Sequence, residues 1–555
     1  MDQQNVPAQD LPPQTLPESE PPPQVKPDYF SFNSAPPKAT VPPQSSPGFV
    51  SNSVSSAPVR PSMPTPTFKP SPPSAPVPTT VLPKKSNLKL TLLIMAIIIL
   101  ILGMVYLIKI VSSKTNTSSQ TTIFSTISSF IKGKLPIKKT SVTITYWGLF
   151  EPSSVFQQVI ADYEKDHPGV KINYVQENLK LYRERLQAAL ERKEGPDIFR
   201  IHQTWVPMFG SLLSAVPQTT YNNSTFEKTF YPSAKESLKY NGQYVAVPLM
   251  VDGLSLFYNE DIFKAKGKVP PTTWGELKKA ACELTVKDEQ GKIRTAGVAL
   301  GTTNNIDHWS DILGLMMLQN SADLANPAAC SENAGGGEGS QTCLGRDALT
   351  FYTLFISDKA CADEGVNVGA VWNSILPTST YSFATGSLAM YFGPSWRAFD
   401  IKSINDKLNF KIVAVPQLPG GVVNWSSYWA EAVSKDSKYQ TEAWKFLQYL
   451  SSDKVLQKLY QTESSLRLFG EPYSRVDMAT QLQAQPMVGS FVEQAPFAKS
   501  WYLSSNTFDN GINEQIIKYY EDAVNAVNRG TNPLSALSTT TQGVTQVLRK
   551  YGLAK

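Results

Sequence analysis

The chain has 555 residues, enough for several domains of ordinary size. Its formal net charge is +5, but 13 of the 51 basic residues and 5 of the 46 acidic residues lie in residues 1–141. The other 38 basic and 41 acidic residues leave residues 142–555 near neutral, which argues against a nucleic-acid-binding protein.

The first segment of the chain is rich in proline. Residues 1–83 hold 23 of the 42 prolines, together with many Ser, Gln and Thr residues. Such a composition buries too little apolar surface to offset the entropy lost on ordering. We predict a disordered tail over residues 1–87 that acts as a spacer, and a docking tail for a proline-binding domain is the alternative.

An uncharged apolar run follows at residues 90–108, with the sequence LTLLIMAIIILILGMVYLI. A helix needs about 20 such residues to cross the hydrocarbon core of a bilayer. The run begins too far from Met1 for an ordinary cleaved signal peptide, and no cysteine near it could carry a lipid. We predict an uncleaved transmembrane signal-anchor helix over residues 88–111.

Charges and cysteines predict the orientation of this helix. Four lysines lie shortly before the apolar run, against Lys109 and Lys114 just after it, and favour a cytoplasmic N-terminus: Lys69, Lys84, Lys85 and Lys89. All four cysteines follow it, and an even number suits an oxidising compartment: Cys282, Cys330, Cys343 and Cys361. Of the three pairings, we favour Cys330–Cys343, which closes a Gly-rich loop, with Cys282–Cys361; free buried thiols are the alternative. We expect a single-pass cell-membrane protein whose C-terminal part is extracytoplasmic.

Strands and helices alternate after a Ser/Thr-rich linker at residues 112–141. The strand VTITYW begins at Val142, and a helix with an apolar stripe follows at about 153–166. The strand VKINYV, a second helix and the strand DIFRI come next. This order is typical of a doubly wound α/β unit, in which a ligand binds beyond the C-terminal ends of the strands.

Polar and aromatic side chains follow the three predicted strands. Trp147 lies just past the first strand, Glu177 follows the second, and Thr204 and Trp205 follow the third. Further strands are predicted in YVAVPLM, LSLFYN, LAMYFG and FKIVAVP, and a capping box begins a helix at Thr273. The pattern of the residues near the C-terminus predicts mostly helices.

One stretch, NGQYVAVPLMVDGLSLFYNEDIFKAKGKVPPTTWGEL at 241–277, resembles a known family. It is similar to the extracellular solute-binding proteins of carbohydrate ABC importers, the group that includes maltose-binding protein. Five further segments occur in the family's order: HPGVKINYV, GPDIF, FATGSLAMYFGPSW, VAVPQLPGG and EAWKFLQYLSSDKVLQ. The N-terminal tail and the membrane helix depart from the family's usual cleaved signal or lipid anchor.

The resemblance implies an α/β, two-lobed periplasmic-binding-protein-like fold, with a hinge and an interlobe cleft, over residues 142–555. Lobe one would comprise residues 142–251 and 421–468, and lobe two residues 252–420 and 469–555.

The resemblance also implies a sugar site, because aromatic rings cover the apolar face of a sugar while carboxylates and amides bind its hydroxyl groups. Asp252 falls at an acidic position of the family, and the family's acidic residue after the third strand is absent here. The predicted ligand-binding residues are Trp147, Glu177, Thr204, Trp205, Asp252, Trp309, Trp396, Trp429, Trp501 and Tyr502.

The expected function is capture of a small polar ligand, a sugar or oligosaccharide, and its delivery to an ABC permease. No cofactor, metal or nucleic acid is expected, and no GxSxG, HExxH or Walker motif marks an enzyme. Two alternatives stay open at this point. One is a membrane-anchored sensor or glycan-binding surface receptor, and the other is a glycosidase that uses two carboxylates.

Overall fold

The computed structural model describes residues 141–332 and 341–554. The predicted tail (1–87), the predicted membrane helix (88–111) and the linker before residue 141 lie outside the described residues. Within the two described stretches, no helix combines the length and apolar character needed to cross a membrane.

The secondary structure of the described residues alternates between strands and helices. The strands are β1 (Val142–Gly148), β2 (Val170–Gln176), β3 (Ile198–His202), β4 (Lys239–Tyr240), β5 (Gln243–Tyr244), β6 (Ala246–Val247), β7 (Ser255–Asn259), β8 (Val286–Lys287), β9 (Ile293–Val298), β10 (Ser331–Glu332), β11 (Gln341–Thr342), β12 (Leu388–Gly393), β13 (Phe410–Val413), β14 (Asn424–Trp425), β15 (Trp429–Val433) and β16 (Ala498–Lys499). The α-helices are Ser153–Asp166, Tyr182–Glu191, Val206–Phe209, Asn223–Thr229, Pro232–Ser237, Glu260–Ala265, Trp274–Leu284, Trp309–Gln319, Leu344–Leu354, Ser379–Ala384, Arg397–Ile404, Gln440–Leu450, Asp453–Ser464, Gly489–Gln494, Ile512–Asn528 and Pro533–Lys550.

The first lobe is built on a five-stranded sheet with the order β2-β1-β3-β15-β6. Strand β1 runs parallel to β2 and β3, while β15 is antiparallel to β3. Ile144 and Tyr146 alternate with polar residues along β1 and are fully buried, as the period of two predicts. The predicted strand–helix–strand–helix–strand order is confirmed for residues 142–202.

The second lobe is built on a mixed sheet with the order β13-β7-β12-β9-β8. Strands β7, β12 and β13 lie at the predicted LSLFYN, LAMYFG and FKIVAVP segments. The helix that begins at Trp274 has the predicted capping box, in which Thr273 and Glu276 each accept a hydrogen bond from the other's backbone N–H. The segment YVAVPLM contributes only β6 and the end of β5, which are two residues each.

Three passages of the chain join the lobes. The first runs through Asp252 and Gly253 into β7, and Gly253 forms a bridge with Ser426. The second passes through β14 into β15, and the third ends in β16, which pairs in parallel with β14. Tyr473, on the third passage, forms a bridge with Met250, which directly precedes the first passage.

Both expected disulfides are present in the second lobe. Cys282, on helix Trp274–Leu284, is bonded to Cys361 across 79 residues of sequence. Cys330 is bonded to Cys343 across 13 residues and joins the ends of the β10–β11 hairpin. The described part of the chain contains no free cysteine.

Removing the two disulfides should cost unequal amounts of stability. In the chain-entropy account, a bond that closes 79 residues restricts the unfolded state more than one that closes 13. We expect the double variant Cys282→Ala/Cys361→Ala to lose about 1.5 kcal/mol more unfolding free energy than Cys330→Ala/Cys343→Ala. Urea denaturation of both variants measures this difference, and equal losses would contradict it.

Candidate functional site

A cavity of about 490 Å³ lies between the two lobes. This volume falls within the range of small-molecule sites, roughly 300–1,000 Å³. We call it the cleft cavity; its lining residues are Phe150, Leu179, His202, Met250, Asp252, Gly253, Leu254, His308, Asp311, Pro394, Trp396, Arg397, Phe399, Trp425, Ser427, Tyr428, Trp429, Arg467, Glu471, Ser505, Asn506 and Phe508. Both lobes and all three passages therefore contribute to its wall.

The first-lobe wall is formed at one edge of the sheet. Phe150 follows the C-terminal end of β1, and His202 is the last residue of β3. Trp429 begins the antiparallel strand β15 and pairs with His202, so it lies at the same edge. The rings of Phe150 and Trp429 meet edge to face, with centroids 5.4 Å apart. The sheet edge thus presents an aromatic pair to the cavity.

The second-lobe wall carries another aromatic side chain, Trp396, just after β12. Its indole is partly exposed and meets the ring of His308 edge to face at 5.8 Å. The Arg397 guanidinium lies 4.3 Å from the centroid of the Trp396 ring, which fixes the orientation of the indole by a cation–π contact. Aromatic surfaces therefore lie on both sides of the cavity.

Asp252 lies at the first passage between the lobes and is buried. Its carboxylate accepts hydrogen bonds from the backbone N–H of Gly253 (2.8 Å) and from the backbone N–H and hydroxyl of Ser395 (3.1 and 3.0 Å). Ser395 precedes Trp396, so Asp252 also holds the turn that presents the second-lobe indole. Burial raises the pKa of Asp252 to about 7.

This raised pKa predicts that Asp252 makes stability depend on pH. The carboxyl has a pKa near 4 in the unfolded chain and binds its proton more tightly in the folded protein, so the free energy of unfolding should fall as pH rises from about 4 to 7. The variant Asp252→Asn should lack this part of the decline. Urea denaturation at several pH values compares the two proteins, and equal slopes in this window would contradict the assignment.

A polar cluster at the second-lobe side of the cavity has fixed hydrogen-bonding roles. Arg397 Nε donates to His308 Nε2 (2.9 Å), so the ring proton lies on Nδ1, which faces Asp311 at 3.3 Å and the Ser505 hydroxyl at 2.9 Å. Trp425 Nε1 donates to the other Asp311 oxygen at 2.8 Å. Burial lowers the pKa of His308, which favours the neutral imidazole.

A buried charge cluster supports the first-lobe wall from behind. Arg200 on β3 donates to Glu151 Oε2 (2.6 Å) and to Glu431 Oε1 (2.7 Å), and the three side chains are at most 2% exposed. Glu151 follows the wall residue Phe150 directly in sequence. Phe150 is therefore one residue away from an ion-pair triad in the interior of the lobe.

Three of the ten predicted site residues line the cleft cavity: Asp252, Trp396 and Trp429. Thr204, Trp501 and Tyr502 line a different cavity of about 520 Å³. Its other lining residues are Ser500 and residues from the segment after β3, from 233–241 and from 551–553. The six predicted residues that line a cavity are therefore divided equally between two separate cavities.

The other four predicted residues line neither cavity, and packing or ion pairing explains each case. Trp205 is fully buried and stacks on Phe209 with centroids 5.8 Å apart. Trp309 is buried at the start of its helix, and Trp147 packs against the core from β1. The carboxylate of Glu177 is ion-paired with Arg185.

Several residues that line the cleft cavity were not among the predicted ligand-binding residues, notably Phe150, Phe399, Arg467, Glu471 and Phe508. Phe150 could have been found, since it follows a parallel strand at the edge where ligands bind. The other four have no such local signal. No group of His, Cys, Asp or Glu suited to a metal ion occurs in residues 141–332 or 341–554.

Comparisons with known proteins agree with this architecture. The family described as bacterial extracellular solute-binding protein matches residues 158–466. The multiple sugar-binding protein of Streptococcus mutans is 25% identical over 343 residues, which cover 59% of this chain and 75% of that protein.

Solved structures share the fold at low sequence identity. The sugar-binding protein MalE of Xanthomonas citri has a TM-score of 0.57 at 19% identity, covering 74% of this chain and 98% of its own. The GacH receptor of Streptomyces glaucescens, solved unliganded and with acarbose, has a TM-score of 0.53 at 22% identity, covering 74% and 99%. The fold is thus the two-lobed α/β periplasmic-binding-protein-like fold, and these relatives are solute-binding proteins, not enzymes. The resemblance predicted from the sequence is confirmed: the chain belongs to the bacterial extracellular solute-binding protein family.

Proposed function

We propose that the protein captures a neutral sugar or short oligosaccharide in the cleft cavity and delivers it to an ABC permease. The observation that carries this proposal is the pair of aromatic walls, with Phe150 and Trp429 on one lobe and Trp396 on the other. Such walls match the apolar C–H faces of a pyranose, and the fixed polar groups between them match its hydroxyls.

The charges of the cavity favour a neutral ligand. The Arg397 guanidinium is paired with Asp400 at 2.9 Å, and Arg467 is paired with Glu471 at 2.8 Å. Each guanidinium therefore already has a carboxylate partner, and an anionic ligand would have to replace it. A ligand with hydroxyl groups can bind without breaking these pairs, whereas a phosphate or carboxylate would compete with them.

The three passages between the lobes support hinge closure over the ligand. A ligand that touches both walls binds the closed arrangement more tightly than the open one. It can stabilise closure by no more than this difference in binding free energy. Closure reduces the water around each hydrogen bond, which strengthens it. A permease could then distinguish loaded from empty protein by shape.

The location that we propose is extracytoplasmic, with a single membrane anchor at residues 88–111. The uncharged run at 90–108 has the composition of a spanning helix. The two disulfides support an oxidising compartment for the part of the chain that follows. The proline-rich residues 1–87 would remain on the cytoplasmic side.

A thermal-shift screen of the full chain in detergent against a library of mono- and oligosaccharides tests this function. A sugar at 100 times its dissociation constant should stabilise the folded protein by about 2.7 kcal/mol. Sugar phosphates and amino acids at the same concentration serve as controls for other ligand classes. Stabilisation by one of these controls and by no neutral sugar would contradict the proposal.

A further inference from the structure

The loop at residues 503–511, which we call the bridging loop, is attached to the second lobe near its beginning. The backbone N–H of Ser505 donates to Asp311 Oδ1 at 3.1 Å, and its hydroxyl lies 2.9 Å from His308 Nδ1. Asp311 and His308 both line the cleft cavity and belong to the second lobe. The start of the loop is therefore part of the second-lobe wall.

The end of the bridging loop is attached to the first lobe. Arg183 Nε, on helix Tyr182–Glu191, donates to the carbonyl oxygen of Asp509 at 2.6 Å. Asn510 Nδ2 donates to Glu184 Oε1 on the same helix at 2.5 Å. The Asp509 side chain is fully buried and accepts from the backbone N–H of Gly511 at 2.9 Å. The loop thus contacts both lobes, and its residues Ser505, Asn506 and Phe508 line the cleft cavity between these contacts.

Phe508 occupies an unusual backbone conformation between these two attachments. Its φ is +51°, in the left-handed region that glycine and asparagine tolerate and bulky residues rarely adopt. Asn506 and Asn510, on either side, also have positive φ, of +57° and +42°. A phenylalanine here is held against its backbone preference by the surrounding hydrogen bonds, and such positions concentrate at functional sites.

The Phe508 side chain is 48% exposed and lines the cleft cavity, as Asn506 also does. Neither core packing nor backbone preference accounts for an aromatic ring at this position. A ligand in the cavity would cover the exposed face of the ring. The apolar face of a sugar ring has the chemistry to do so.

We propose that Phe508 is a ligand-contacting residue that determines which saccharides the cleft accepts, and that the bridging loop presents it from both lobes at once. This inference rests on the proposed function, because it assumes that the cleft cavity holds the sugar. It adds a third aromatic surface, from a segment outside both sheets. Saccharides of different length or shape would make different contacts with this surface and would therefore bind with different affinities.

Isothermal titration calorimetry of the full chain with maltotriose, mannotriose and acarbose tests the proposal. We expect Phe508→Ala and Phe508→Gly to weaken the best probe at least fivefold and to reduce the ratio between the tightest and weakest probes. Phe508→Tyr, which keeps the ring, should stay within twofold of the wild type. The matched control Phe497→Ala removes a ring that is 49% exposed and lines neither cavity, so it should change nothing.

A second readout examines the backbone without ligand. Phe508→Gly should unfold at a higher temperature than Phe508→Ala, because only glycine relieves the left-handed conformation. Wild-type affinity in both variants, with unchanged ratios among the probes, would overturn the role of Phe508 alone. Failure of the wild type to bind any neutral saccharide, these three probes included, would overturn the proposed function and this role together.

Discussion

Replacing Arg200 with methionine should lower the free energy of unfolding by about 3–5 kcal/mol. The Arg200 side chain is 1% exposed and is the cation that pairs with the equally buried Glu151 and Glu431. Its removal leaves two carboxylates in the interior of the first lobe without their ion-pair partner. Urea denaturation at pH 8 measures the loss.

The same variant should lose less stability at pH 5 than at pH 8. Burial already raises the pKa of Glu431, and without the guanidinium an unpaired carboxyl can take up a proton as pH falls. The protonated form is neutral and costs less to bury. A loss that stays equal at both pH values would indicate that Arg200 acts through packing alone.

The triple variant Arg200→Met/Glu151→Leu/Glu431→Leu is the matched control. Exchanging a whole buried ion cluster for apolar side chains of similar size is often neutral or stabilising, whereas breaking it is not. We therefore expect the triple variant to recover most of the stability lost in Arg200→Met. If the triple variant is as unstable as the single variant, unpaired charge is not the cause of the loss.

Replacing Trp396 with alanine should weaken sugar binding by about 1–3 kcal/mol, by comparison with the loss of an aromatic platform under a nucleic-acid base. The Trp396 indole is partly exposed in the cleft cavity, so little of the core depends on it. Folding should therefore be retained. Calorimetric titration with the sugar that gives the largest thermal shift measures the change.

Trp501→Ala provides the comparison for Trp396→Ala. Both indoles are partly buried, but Trp501 lines the other cavity, beside Thr204 and Tyr502. If the cleft cavity is the sugar site, Trp501→Ala should keep the wild-type affinity while Trp396→Ala loses it. The reverse outcome would move the site to the cavity near the C-terminus.

Much of the fold could be predicted because local patterns decided it. Alternation in VTITYW placed Ile144 and Tyr146 in the core, and the capping box at Thr273 marked the start of its helix. The segment YVAVPLM was less predictable. Pro248 lacks an N–H and cannot donate a ladder hydrogen bond, and only Tyr244, Ala246 and Val247 of that segment lie in strands.

The four residues predicted from their place at strand ends, Trp147, Glu177, Thr204 and Trp205, do not line the cleft cavity, whereas three residues of the sugar site implied by the family resemblance do. Trp429 and Asp252 lie at an edge or a passage that the fold itself defines. Trp205 follows β3 just as closely, but it turns inward and meets Trp429 edge to face with centroids 5.1 Å apart. Sequence spacing cannot distinguish the indole that faces the ligand from the indole that supports it.

Phe508 shows a different limit of sequence reasoning. Its role depends on a backbone conformation and on two hydrogen bonds between distant parts of the chain. Ser505 and Asp311 are 194 residues apart in sequence, and Arg183 and Asp509 are 326 residues apart. Nothing in the sequence SSNTFDNG separates a wall of the cleft from an ordinary surface turn. Only the tertiary contacts reveal it.

The most direct test of the central claim is a crystal structure of the protein with the neutral saccharide that binds most tightly. We expect the sugar in the cavity between Trp396 and Trp429, with its apolar faces on those indoles and its hydroxyls near Asp252 and His308. A saccharide bound beside Trp501 instead, with the space between the lobes filled by water, would contradict the account.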